Sequence, residues 1–164
     1  MTTKEIRVQR VSLISSKPFD AIVESITAAI GRPDVRMFGE QLRAAKSIAE
    51  LSEVVRAAVG PSDLMEFARY DAGEVLRKEH AGRGPKVLRL VVGNPLIMKE
   101  MARRVPDAAS YAPLTILIDE RADGVHLSYD LFASCIASYG NRDALAVATD
   151  LDAKVEALLK QAAA

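Results

Sequence analysis

The sequence has 164 residues, 49% hydrophobic and 27% charged, with a single cysteine, Cys135, so its composition is that of a globular domain that folds without disulfides. The 22 basic and 22 acidic residues cancel to zero net charge, which argues against a dedicated nucleic-acid or acidic-membrane partner. No segment reaches the roughly 18 apolar residues of a membrane helix, and the N-terminus lacks a signal core. We therefore expect one cytoplasmic domain, residues 1–164.

The first part of the chain is predicted to be one strand followed by helices. Residues 5–14 alternate between apolar and polar as in a half-buried strand, with a phase slip at Arg10 that suggests a β-bulge. Helical apolar spacing and end signals predict helices at 19–30, 34–46 and 48–59. The start of the third helix is marked by Ser47 and Glu50, the pair of residues that forms a capping box.

The rest of the chain alternates strands with short helices. Strands are predicted at 63–70, 86–92, 114–118 and 125–129. Helices are predicted at 72–79 and 130–138, and a long last helix follows the N-cap residue Asn141. Asp123-Gly124 is a hairpin signal, and composition predicts a mobile loop at 80–85. This order favours an α+β fold with a mostly antiparallel sheet and helices on one face.

The stretch Gly93-Asn94-Pro95 connects an apolar strand to a helix. Its turn is either a ligand-binding site or only the cap of that helix. A strand-to-helix turn aims backbone N–H groups at an anion in phosphate sites. Asn94, however, is a good N-cap, and Pro95 suits the first helical position and lacks an N–H group. The pattern therefore favours a structural cap and leaves ligand contact as the alternative.

Five short motifs carry a resemblance to a known family. They are Phe67-Ala68-Arg69, Val92-Gly93-Asn94-Pro95, Pro113-Leu114, Asp123-Gly124 and Leu127-Ser128-Tyr129. In this order and spacing they resemble the domain of unknown function 302 family, over about residues 5–30 and 63–160. The segment 34–60 would then be a helical insertion.

The resemblance implies a two-layer α+β sandwich similar to the TATA-binding protein, and it implies homodimers. It brings no established activity or cofactor. Many members have His directly after the Ile-Asp that follows the Phe-Ala-Arg strand, whereas this chain reads Tyr70-Asp71-Ala72. No ligand or acid/base role for that histidine carries over.

Isolated reactive residues are interpreted as structural. His126 alternates with the apolar residues of its strand, so we expect an exposed or edge histidine, and it has no second ligand at metal spacing. Cys135 is expected to be a buried apolar side chain, because no base follows it in sequence to activate a nucleophile. We therefore predict no metal site and no catalytic residue.

The leading hypothesis is a non-catalytic module that binds a small molecule or a partner protein. If a pocket lies between sheet and helices, we expect Arg69, Tyr70, Asn94 and Tyr129 at its rim.

Two alternatives stay open. The first is a small enzyme that uses Asp71, Tyr70 or His126 as acid or base. The second is a carrier of an apolar ligand such as lipid or haem, suggested by the Met-containing and Ala-rich helices at 96–101 and 143–162.

Overall fold

The computed structural model describes residues 1–79 and 82–164, which form one five-stranded sheet and seven α-helices. The strands are β1 (Arg10–Ser15), β2 (Met65–Asp71), β3 (Val87–Gly93), β4 (Leu114–Arg121) and β5 (Gly124–Asp130). The helices are α1 (Phe19–Ala29), α2 (Val35–Ala44), α3 (Ile48–Ala58), α4 (Ala72–Glu79), α5 (Pro95–Ala102), α6 (Phe132–Ala137) and α7 (Arg142–Ala163). The strand order is β1-β5-β4-β3-β2, and all neighbouring strands are antiparallel. The predicted α+β fold is confirmed.

One face of the sheet is apolar and packs beneath α1 and α7. Its buried side chains are Leu88, Leu90, Val92, Leu114, Ile116, Ile118, Val125, Leu127 and Tyr129. They meet helical residues such as Ile22, Ile26, Leu151, Val155 and Leu159, all of which are buried. None of the helices in the described part of the chain is long and apolar enough to cross a membrane.

The opposite face of the sheet is mixed in character. Register places Tyr70, Arg89, Leu117, Ser128 and Ser12 side by side in one row across the five strands. Tyr70 at one end of this row is 54% exposed. Alternation along each strand therefore separates an apolar inner face from an outer face that mixes polar and apolar side chains.

Helices α2 and α3 build a smaller core of their own, around Phe38, Val55 and Met65. The predicted helices at 34–46 and 48–59 are therefore confirmed. The capping box is shifted by one residue. Ser47 Oγ accepts from Glu50 N at 3.1 Å, but the Glu50 carboxylate accepts from Lys46 N at 2.8 Å rather than from the backbone of Ser47.

The prediction of a bulged strand over residues 5–14 is wrong in two respects. Strand β1 begins at Arg10, and its register with β5 is regular throughout. The regular pairing stops at Gln9, whose oxygen still accepts from Leu131 N at 2.8 Å but whose N donates to Ser134 Oγ on α6 at 3.0 Å. The bulge lies instead in β2, where the register shifts between Glu66 and Ala68.

The hairpin prediction is confirmed with a small shift. Arg121 pairs with Gly124, so the two turn residues are Ala122 and Asp123. Gly124 has φ of 137°, a backbone conformation that other residues rarely adopt. The predicted mobile loop at 80–85 includes His80 and Ala81, which lie outside the described residues.

Two asparagines cap helices in the described chain, but only one of them also makes hydrogen bonds to a distant part of the sequence. Asn141 Oδ1 accepts from Ala144 N at 2.9 Å at the start of α7. Asn94 Oδ1 accepts from Leu96 N at 2.9 Å at the start of α5, and its amide also donates twice to Asp63. Asn94 is 7% exposed, so it is a buried link between two connections as well as a cap.

Asp152 on α7 anchors the start of α6. Its carboxylate accepts from Phe132 N at 2.8 Å and from Ala133 N at 2.9 Å, and the side chain is 5% exposed. These N–H groups would have no intrahelical partner at a helix start. The carboxylate therefore ties the β5 to α6 connection to the last helix.

We predict that Asn94→Ala lowers the free energy of unfolding by about 2–3 kcal/mol, whereas Asn141→Ala lowers it by about 1 kcal/mol. The difference arises because only Asn94→Ala also leaves the partly buried Asp63 carbonyl without its donor. Chemical denaturation of both variants measures it. Equal losses would show that the link to Asp63 contributes nothing.

We predict that Asp152→Ala lowers the free energy of unfolding by about 2–4 kcal/mol, because two N–H groups lose their acceptor. Asp150→Ala is the matched control on the same helix, since Asp150 is exposed, and its effect should stay within about 0.5 kcal/mol. Thermal and urea unfolding compare the two. A loss at Asp152 no larger than at Asp150 would contradict the anchoring role.

Candidate functional site

The corner between β3 and α5 is held by the Asn94 side chain. Its Nδ2 donates to the backbone oxygen and to Oδ1 of Asp63, both at 3.0 Å. Asp63 has a positive φ of 61°, and its other carboxylate oxygen lies 3.1 Å from Lys154 Nζ on α7. The interpretation of Asn94 as a helix cap is therefore confirmed, and the same amide joins the α3 to β2 connection to this corner.

An apolar cavity of about 240 Å³ lies directly beside this corner. Two thioethers from α5, Met98 and Met101, form one wall. Two phenyl rings also line it, Phe67 from the bulge of β2 and Phe132 from the first turn of α6. The bulge matters here because it adds a residue to β2, and Phe67 is the residue that it adds.

Aliphatic residues and bare backbone complete the lining. The aliphatic side chains are Leu42, Leu114 and Leu151, from α2, β4 and α7. Gly93 leaves space that any other residue would fill, because a Cβ there would lie 3.2 Å from Pro113 Cβ and 3.6 Å from Phe67 Cε2. The cavity is thus where the end of the sheet meets four helices.

The lining of the cavity carries no charge. Asn94 is the one polar side chain among the residues that line it. Both of its amide hydrogens are used by Asp63, whereas Oδ1 accepts a single bond, from Leu96 N, and keeps one lone pair. Since a buried charge without a partner is strongly unfavourable, this lining suits a neutral molecule.

A second, more polar cleft of about 470 Å³ lies on the other side of Asn94, between α3, α5 and α7. Its basic side chains are already paired with acids. Lys154 contacts Asp63 at 3.1 Å, and Lys99 contacts Glu100 at 2.8 Å. The cleft therefore offers little net attraction to an anion.

The four residues predicted at a pocket rim do not lie together. Only Asn94 lines the apolar cavity. Arg69 pairs with Glu66 at 2.8 Å and donates to Thr27 Oγ1 on α1. Tyr70 lies exposed on the outer face, and Tyr129 is 2% exposed beneath α7, where its hydroxyl donates to the Asp152 backbone oxygen at 3.3 Å.

The three candidate acid/base residues are also separated. Tyr70 and His126 share the outer face but lie on β2 and β5, three strand spacings or roughly 14 Å apart. Asp71 lies next to Tyr70, with its side chain toward the other face of the sheet. A hydrogen bond from Arg77 lowers the pKa of Asp71, which moves it away from the range useful for acid/base chemistry at neutral pH.

The expectation that His126 is exposed or at a sheet edge is wrong. Strand β5 lies between β1 and β4, and the side chain is only 7% exposed. Its register neighbours are Ile14 and Asp119, and its Nε2 lies 2.8 Å from Asp123 Oδ1. The alternation of polar and apolar residues in β5 placed His126 on the correct face of the sheet. It could not show that side chains from neighbouring strands cover the imidazole ring.

Cys135 is buried on α6, as predicted, and burial raises the pKa of its thiol. A raised pKa disfavours the thiolate that a nucleophile needs. Across residues 1–79 and 82–164, no three His, Cys, Asp or Glu side chains are grouped so that they could hold a metal ion.

Among the cavity residues, only Asn94 was predicted at a pocket rim. Three of the family motifs, those with Phe67, Gly93 and Pro113, contribute to the lining, and Met98 and Met101 lie on the helix at 96–101 that suggested a carrier of an apolar ligand. The spacing of the large lining residues is that of ordinary core residues, as in Met98, Met101, Phe67 and Phe132. Their positions in the sequence would be the same if side chains filled the cavity. Gly93 is a further sequence signal, because a glycine at the end of a strand marks a close approach.

Comparison with known proteins agrees with this fold. The family model described as Domain of unknown function DUF302 matches residues 40–162. A crystal structure of an uncharacterized conserved protein DUF302 from Bacillus stearothermophilus superposes with a TM-score of 0.65 at 10% sequence identity, covering 93% of this chain and 97% of that one. A search of curated proteins finds no match.

The range of the family match bears on the predicted insertion. It begins inside α2 and includes all of α3, so it does not support the prediction that residues 34–60 are inserted relative to the family. It also omits residues 5–30, which the resemblance had included. The match nevertheless extends over three quarters of the sequence and contains four of the five strands. The chain belongs to the DUF302 family, whose function is unknown.

Proposed function

We propose that this protein is a non-catalytic binding module for a small, neutral, largely apolar molecule held in the cavity beside Asn94. The observation that carries the proposal is the cavity itself, an apolar pocket of about 240 Å³ that is partly open to solvent. Small-molecule sites are typically concave pockets lined mainly by apolar and aromatic side chains, with few polar groups. A space of this size that is retained among large apolar side chains is therefore a candidate for a ligand.

The volume limits the ligand to a small compound. Drug-sized ligands occupy pockets of about 300–1,000 Å³, whereas an engineered apolar cavity of about 150 Å³ binds benzene. The corner cavity lies between these sizes. A compound of one or two rings suits it, and a long lipid chain or haem exceeds it.

The lining favours an aromatic ring with one hydrogen-bond donor. Thioether sulfurs, as in Met98 and Met101, make favourable contacts with aromatic rings, and Phe67 and Phe132 add edge or stacking contacts. The unused lone pair on Asn94 Oδ1 is the side-chain acceptor that could orient a ligand N–H or O–H group.

The enzymatic alternative has weaker support. Acid/base catalysis requires a positioned group within hydrogen-bond reach of the reacting atom. Tyr70, Asp71 and His126 neither line the cavity nor lie close to one another. A second binding site would be needed for ligand contacts by the other three residues predicted at the rim, because Arg69, Tyr70 and Tyr129 do not line the cavity.

We also propose that residues 1–164 form a single cytoplasmic domain that works as a homodimer. The large cluster of buried residues draws on β3, β4 and β5 and on several helices, with Val11 and Leu13 of β1 packed against it, which supports one cooperative core. A free cysteine is common in reducing compartments, which fits the cytoplasm. Cell fractionation and solution mass measurements test these two points independently of the ligand.

We expect indole to bind with one site per chain, whereas indole-3-carboxylate, with a similar ring and a charge, does not bind measurably. The reason is that the cavity offers contacts to the ring but no partner for a carboxylate. Titration calorimetry, with shifts of the Met98 and Met101 methyl signals in NMR spectra, measures both compounds. Binding of neither indole nor related neutral aromatics would contradict the proposal.

A variant pair locates the site. Gly93→Ala should weaken indole binding about tenfold or more, because the new methyl group enters the space between Pro113 and Phe67. Gly39→Ala is the matched control, since a Cβ at Gly39 would meet only Arg43 Nη1 at 3.6 Å. Equal affinities in the two variants would place indole outside the cavity.

A further inference from the structure

Strand β1 is an edge strand without the usual protection. It pairs with β5 on one side only, and its register contains no bulge. Its one charged residue, Arg10, is neutralised by Asp130, with N to O distances of 2.6 and 2.9 Å. The other edge strand, β2, is bulged. Natural proteins normally blunt a free edge with bulges, prolines or unpaired charges, because an unprotected edge pairs with other chains.

The hydrogen-bond phase of β1 shows which backbone groups face outward. Leu131 N donates to Gln9 O at 2.8 Å, so the odd-numbered residues of this segment bond to β5. The N–H and C=O groups of Arg10, Ser12 and Ile14 therefore point to the open side. Within residues 1–79 and 82–164, the backbone groups of Ser12 and Ile14 find no partner.

The side chains of this edge are also incompletely covered. Ile14 is 57% exposed, although it is a large apolar residue. Val11 and Leu13 point to the inner face, where they pack at the margin of the core and remain partly exposed. A strand added beside β1 would cover all three.

We propose that β1 pairs in antiparallel orientation with β1 of a second copy of this chain, around a two-fold axis at Ser12. The two five-stranded sheets become one ten-stranded sheet. Two identical strands related by a two-fold axis are self-complementary. In this register the outward groups of Ser12 meet those of Ser12, and those of Arg10 meet those of Ile14, which gives about six backbone hydrogen bonds.

Charge selects this register over its neighbour. A pairing centred on Arg10 would bring two guanidinium groups opposite each other, and like charges directly opposite are unfavourable. Centred on Ser12, Arg10 faces Ile14 of the second copy. The Arg10 guanidinium stays with Asp130 while its aliphatic stem covers the exposed isoleucine.

This inference rests on the homodimer part of the proposed function and gives it a surface. It is independent of the cavity, which lies at β3 and α5 rather than at β1. The small contact predicts a reversible dimer whose population depends on concentration.

Sedimentation equilibrium between about 5 and 200 µM tests the surface with three variants. Ile14→Lys places a second positive charge opposite Arg10 and should weaken dimerisation about tenfold or more. Ile48→Lys is the matched control, because Ile48 is also 57% exposed but lies on α3. Tyr70→Lys changes the outer face on the far edge strand, so it would disrupt a dimer joined face to face and leave the β1 dimer intact.

A cross-link tests the register directly. Paired Ser12 residues would have Cα atoms about 5.5 Å apart, within the range for a disulfide. Ser12→Cys should therefore give a covalent dimer under mild oxidation. Ser110→Cys, at an exposed position distant from β1 in sequence, should stay monomeric on a non-reducing gel, and the native Cys135 is buried.

The outcomes separate the two proposals. A wild-type protein that stays monomeric over the whole range overturns both the homodimer and this surface. A dimer that resists Ile14→Lys, or is broken by Tyr70→Lys, overturns the surface and leaves the homodimer. Pairing through β1 is supported if Ile14→Lys is the one lysine variant that weakens the dimer and Ser12→Cys gives the covalent dimer.

Discussion

The side-chain amide of Asn94 holds together the two connections around which the candidate site is built. It caps α5 through Leu96 N and donates twice to Asp63, between α3 and β2. Because the Asn94 side chain is buried, losing one of these bonds would leave one of its polar groups unsatisfied. The positions of α5 and of the start of β2 are therefore coupled through one residue.

The cavity follows from this arrangement. Helix α5 presents Met98 and Met101 from one side, and the bulge of β2 presents Phe67 from another. Gly93 carries no side chain into the gap, and the T-shaped contact of Phe67 with Phe38, at 6.4 Å between ring centroids, holds that ring against α2. The space is thus bounded by residues whose positions are determined by the sheet, the bulge and the Asn94 link.

The two edge strands of the sheet, β1 and β2, differ in how open they are to another chain. At β2 the edge is bulged and followed directly by α4, so little regular edge is left for another chain. At β1 the register is regular, and half of the backbone groups point outward. This asymmetry places the ligand proposal and the self-association proposal in separate parts of the molecule, and either can fail without the other.

Periodicity and end signals in the sequence predicted most elements, including the hairpin, the last helix and the Asn94 cap, because these depend on neighbouring residues. The start of β1 was not predictable, since it depends on a contact of Gln9 with Ser134, 125 positions away. The burial of His126 likewise depends on side chains from adjacent strands. The cavity could not be predicted, because residues that line a void and residues that fill a core have the same composition and spacing.

The most direct test of the ligand proposal is native mass spectrometry of the untagged protein, purified gently and then equilibrated with a mixture of small neutral aromatic compounds. We expect one non-covalent adduct per chain, either retained from the cell or taken up from the mixture, and its loss in Gly93→Ala. A bare chain mass under both conditions would contradict the proposal that the corner cavity is a binding site.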